Sequence, residues 1–116
     1  MPATRLIPEE RLATYFELYT KEFLLDGLPR AVDVEVLTPD LGDQFTVLGA
    51  RLLGITYDPG TCVLELELDI GDHRIDRPSE VWVIEEQDGF LAVIQVSHSG
   101  ETRELVSVKR VGVRRI

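Results

Sequence analysis

The chain has 116 residues, 44% of them hydrophobic and 28% charged, a length and balance that fit one domain with a core that needs no covalent staples. Its formal charge of −9 works against binding to phosphate backbones, so nucleic acid is not an expected partner of the folded face. A single cysteine, Cys62, rules out an intramolecular disulfide, no apolar run approaches the ~20 residues of a membrane helix, and residues 1–10 lack the apolar stretch of a secretion signal; a cytoplasmic protein without membrane association is expected.

Residues 1–7 read as a lead-in. Pro8, Glu9 and Glu10 then open a helix, because proline suits the first helical position and early carboxylates favour the positive end of the helix dipole. Leu12, Tyr15, Phe16, Tyr19 and Phe23 follow at helical spacing and form one apolar stripe. The helix is expected over 8–26, ended by Asp26-Gly27-Leu28-Pro29, where glycine can take the left-handed cap and proline follows. The aromatic stripe is read as a face packed on a sheet, with a ligand wall as the alternative.

A β-meander is expected over 31–108. Ala31 to Leu37 alternates, with Val32, Val34 and Val36 inward. A turn-rich loop follows, then a short strand from Gln44 to Leu48 with Phe45 and Val47 in one parity, and Gly49-Ala50-Arg51 as a link. The clearest pattern lies in Leu52 to Ile70. Cys62, Leu64, Leu66, Leu68 and Ile70 alternate with Glu65, Glu67 and Asp69, the mark of a strand with one buried and one wet face. With Asp58-Pro59-Gly60-Thr61 as the loop, Tyr57 would face Cys62, Ile55 would face Leu64 and Leu53 would face Leu66.

The polar stretch from Gly71 to Pro78 has room for a short strand around His73 to Asp76. Glu80–Glu86 and Phe90–Ser97 form a hairpin about Asp88-Gly89, with Val81 opposite Val96, Val83 opposite Ile94 and Ile84 opposite Val93. Both of its faces carry apolar residues, which argues for a covered position or strong curl. With corners at Ser99-Gly100, a last strand from Thr102 to Val108 would set Leu105 against Ile94 and Val106 against Val93. Residues 109–116 carry +4 against −13 for residues 1–108. They read as a basic strand or tail whose plainest role is solubility, with contact to an acidic partner or nucleic acid as alternatives.

These elements give an α+β fold: an N-terminal amphipathic helix packed on a curved, mostly antiparallel sheet or small barrel of the SH3 or Sm kind. The assembled stretches resemble a family of short bacterial proteins catalogued as a domain of unknown function. The residues that carry the resemblance are Thr4 to Pro8, Val36 to Gln44, Leu53 to Asp58, and Asp72-His73 with Ile75 and Pro78 before Val81. It implies a small cytoplasmic bacterial protein with no established activity and carries over no catalytic residue.

Asp69, Asp72, His73 and Asp76 form the one cluster whose chemistry suits a divalent ion or acid–base work. The spacing matches no metal motif, and a solvated loop is the plainer reading. His98 is the only other histidine, and a site using both would require the sheet to bring two distant turns together. Ser97, Ser99 and Ser107 lack a nucleophile-elbow context, and the glycines form no phosphate cradle, so no catalytic residue and no cofactor is implied. Trp82, Ile84 and Val93 share one parity of their hairpin and are candidate interface residues, with core packing as the alternative. The leading expectation is an interaction module, self-associating or docking on a protein partner through sheet edges. The alternative is a small-ligand or metal-dependent enzyme built on the Asp72, His73 and Asp76 loop.

Overall fold

Period-two alternation dominates the sequence, and it produces a sheet that curls on itself. The computed structural model describes residues 3–24, 30–40, 42–87, 90–98 and 101–110. Its strands are β1 (Ala3–Ile7), β2 (Arg30–Thr38), β3 (Gly42–Asp58), β4 (Val63–Leu68), β5 (His73–Asp76), β6 (Glu80–Glu85), β7 (Leu91–Ser97) and β8 (Arg103–Arg110). They pair antiparallel in the order β1-β6-β7-β8-β2-β3-β4-β5. The order ends on β1 and β5 without joining them, so the sheet is a half-barrel and stops short of a closed SH3- or Sm-like barrel. Helix α1 (Leu12–Tyr19) follows a 3-10 turn at Glu9–Arg11 and runs on into a π-helical segment at Thr20–Leu24.

The supposed lead-in is a strand. β1 pairs with β6, Ile7 opposite Val81 and Leu6 opposite Trp82, so the helix is the second element of the chain. Its stripe faces the sheet as expected: Leu12, Phe16 and Tyr19 are buried, with Tyr15 and Phe23 packed at the margin. Burying a side chain such as Phe16 contributes about 2–3 kcal/mol. The expected stop at 26–29 lies outside the described residues.

The sheet curls because β3 carries extra residues. Against β2 its register slips twice, between Val32 and Val34 and again between Val34 and Glu35. The residues left over lie near Gly49, at φ +67°, and near Thr46. Bulges of this kind add twist and bend. Gly49 fixes the bend by donating its N–H to Asp33 Oδ1 at 2.8 Å. One 17-residue strand therefore replaces the two short strands and link expected over 44–57. Val47 turns inward, but Phe45 is 54% exposed.

A third slip, between Leu52 and Gly54, corrects the parity read for the central hairpin. Leu52 and Ile55 are both buried, whereas Leu53 points out. The pairs are Tyr57–Leu64 and Ile55–Leu66, two residues from the expected register. A shift of two keeps the same face inward, so the pattern could not detect it. The cause is a turn in which the Cys62 N–H donates to Asp58 O at 2.7 Å. Cys62 sits there at φ +58°, outside the strand, and Ile70 is 71% exposed past its end. Beyond Arg51, β3 has no strand on its β2 side among the described residues. The Thr20 hydroxyl covers that edge, donating to Ile55 O and accepting from Ile55 N, both at 3.1 Å. A Cβ on Gly54 would crowd Glu67 Oε2 of β4 at 3.0 Å and lie in ordinary contact with Thr20 Cγ2 at 3.7 Å.

The β6–β7 register is as expected. β8 is offset by one residue from expectation: Val106 faces Ile94, and Leu105 faces Gln95. The connection after His98 is closed by His98 N–H donating to Thr102 O at 2.9 Å, which makes it odd in length. Val106 and Val108 then turn inward, where the expected offset would have buried Leu105 in their place. The core's central row is Val83–Ile94–Val106–Val34, all fully buried. Of the basic end, Lys109 pairs with Asp33 at 3.2 Å, and 111–116 lie outside the described residues.

Candidate functional site

The next row of the same sheet face reads Val81–Val96–Glu104–Val36. A carboxylate occupies a valine position, and Glu104 is only 8% exposed. An ionised carboxylate at such depth needs strong hydrogen-bond donors. Two imidazoles supply them. His73, from β5, has Nε2 2.9 Å from Glu104 Oε1, and His98, just past β7, has Nε2 2.6 Å from Oε2. A carboxylate only accepts, so each Nε2 carries the proton and donates. Burial pushes the Glu104 carboxyl up, but the bonds from His73 and His98 outweigh it and hold the group below the usual carboxylate range.

This clasp exists because the sheet curls. In a flat sheet the four steps from β8 to β5 would span about 19 Å. Here side chains of those strands touch. The two histidines are thus brought together, with Glu104 between them. Glu104 carried a signal in the sequence: it is the one acid in the inward parity of Val106 and Val108.

The residues of the acidic loop have separate surroundings. Asp69 Oδ1 accepts from the Arg51 N–H at 3.0 Å and so belongs to the backbone of the hairpin. Asp72 and Asp76 are exposed, and His73 is committed to Glu104. Among the described residues, no three His, Cys, Asp or Glu side chains converge as a metal site. A cleft of about 510 Å³ beside His98 takes in Thr38, Thr102 and Arg103, but neither His73 nor the three aspartates.

A different site forms where α1 meets β1. Arg5 grips Glu85 with two bonds, Nε–Oε1 at 2.9 Å and Nη2–Oε2 at 3.2 Å, while the Tyr15 hydroxyl donates to Glu85 Oε2 at 2.7 Å. The Arg5 guanidinium lies 5.8 Å from the Tyr15 ring centre. Burial and the neighbouring Glu85 carboxylate push the Tyr15 phenol upward, so it stays a donor. This node holds the helix over the edge strand. Between them runs a groove of about 470 Å³ lined by Arg5, Leu6, Arg11, Thr14, Tyr15 and Leu18 among others. Leu6 and Leu18 are 44% and 57% exposed. The sequence hides this site because residues 3–7 become a strand only by pairing with β6. Trp82, Ile84 and Val93 lie on the opposite sheet face from Val81 and Val83, half-buried, with Leu6 and Thr4 of β1 beside Trp82 and Ile84.

No helix among the described residues is long and apolar enough to cross a membrane. Compared with known proteins, residues 3–112 match the family of unknown function DUF5335. An uncharacterized protein of Aquifex aeolicus (strain VF5) is 37% identical over 109 residues, covering 92% of this chain and 93% of its own length. No solved structure matches. The chain therefore belongs to the family of unknown function DUF5335.

Proposed function

We propose that this protein is a non-enzymatic bacterial interaction module that takes an extended segment of another protein onto an open edge of its sheet. The observation that carries this reading is β1: it pairs on one side with β6 and, among the described residues, with no strand on the other. An unpaired edge presents a row of backbone donors and acceptors, a ready template for strand addition. The other terminal strand, β5, is shorter and tied through His73 to Glu104. The enzymatic alternative is the poorer reading, since His73 bonds Glu104 and Asp72 and Asp76 are exposed. A lone cysteine accords with the reducing cytoplasm.

A displayed library of eight-residue peptides, selected on the intact protein, tests the reading. Enriched peptides should perturb the backbone amides of an edge strand in NMR spectra. A library that yields no binder, or binders that perturb no edge strand, would overturn it.

A further inference from the structure

We infer that the docking site is the groove between β1 and α1, and that its occupant is a segment of another protein with alternating apolar residues and one carboxylate placed against Arg11; this rests on the strand-addition reading above. Three observations specify the occupant. The free edge of β1 requires an extended backbone. At about 3.4 Å per residue, the five residues of β1 accommodate a partner stretch of similar length. Side chains of an added strand alternate across the sheet. Those on the core face would meet Thr14, Tyr15 and Leu18 of the helix, and those on the other face would lie beside Leu6. Both leucines are exposed in the free protein, so an apolar partner removes their surface from water.

Charge fixes the rest. Three charged side chains line the groove, Arg5, Arg11 and Glu10. Arg5 is already held by Glu85, whereas Arg11 has no ion pair among the described residues. A carboxylate of the partner can form a charge-assisted pair there. A second copy of this chain is a poorer occupant, because each body carries −9 and like charge opposes close approach of two copies. The edge strand, the covering helix and the cation together distinguish this groove from the exposed apolar residues elsewhere, such as Leu48 and Ile70.

The test uses peptides recovered from the eight-residue library, titrated by calorimetry into the full chain and its variants. Leu18→Glu and Arg11→Glu change exposed residues of the helical segment, and circular dichroism confirms that each stays folded. Each should weaken binding by about tenfold or more, with Arg11→Lys retaining part of the affinity. Arg74→Glu, on the β5 edge, should bind like the parent. Unchanged affinity in Leu18→Glu together with a loss in Arg74→Glu would overturn the groove and leave strand addition standing at the other edge. Absence of any binder would remove both. Light scattering that shows a dimer dispersed by Leu18→Glu would also overturn the inference, by making a second copy the occupant.

Discussion

The strand at the β5 edge is four residues long, yet it has a fully buried Ile75 and a histidine bonded to a buried carboxylate. The β1 strand has five residues, of which only Ile7 is buried, and its charged anchor, Arg5, is half in solvent. An apolar anchor and a desolvated hydrogen bond hold the first edge. A surface ion pair and one apolar residue hold the second, and exposed ion pairs contribute little. The β5 edge is therefore the closed end of the half-barrel, and β1 the adaptable one. Local stability of this kind is uneven across most folds, and binding segments tend to come from the weaker end.

Breaking the stronger edge should cost most. Ile75→Ala should destabilise the protein by about 3 kcal/mol, through lost burial and the cavity left behind, as read by chemical denaturation. A cost under about 1 kcal/mol would show that β5 is not anchored through its core residue.

Glu104→Gln should cost about 2 kcal/mol at neutral pH by weakening two hydrogen bonds to a buried charge. It should also change the pH dependence. The folded carboxyl titrates below its unfolded value, so its contribution is fully present above that ordinary value, about 4.3. The contribution fades as pH falls through the folded value, because the unfolded chain binds the proton more readily. The parent should lose stability in that acid window, and Glu104→Gln should lose less. Parallel stability profiles for the two proteins would contradict the clasp.

Removing the weaker anchor sharpens the contrast. Arg5→Ala should cost only about 0.5–1 kcal/mol, since its side chain is 54% exposed, yet it should speed amide exchange in β1 and leave β5 unchanged. Leu18→Glu should shift stability least, within about 0.5 kcal/mol, while abolishing the apolar side of the groove. A large stability loss from Leu18→Glu would mean that the residue anchors the helix and is not available to a partner.

Much of this edge chemistry was hidden from pattern reading for a physical reason. The Thr4 to Ile7 stretch is too short for alternation to stand out, and only pairing with Val81 to Ile84 makes it a strand. The hairpin from Leu52 was legible as two strands with apolar faces. Its register was not, because a shift of two residues leaves the same side chains inward and the turn around Cys62 decides between the alternatives. The β8 offset was missed because Leu105 and Val106 are both apolar, so either parity could be buried. The sequence groups His73 with Asp69, Asp72 and Asp76, whereas in the fold its Nε2 bonds Glu104. Asp72 and Asp76 are near it in sequence; Glu104 is near it only in space.

Alternation, the helical stripe and turn residues are local properties, and they determined most of the elements: one amphipathic helix, the antiparallel hairpins and an acidic outer face. The strand offsets, the bulges that bend β3, the clasp of His73 and His98 on Glu104, and the groove beside β1 were decided by tertiary structure alone. Each depends on which residues meet across long sequence separations. Periodicity fixes which face a side chain takes, while curvature and turn geometry fix what lies opposite it.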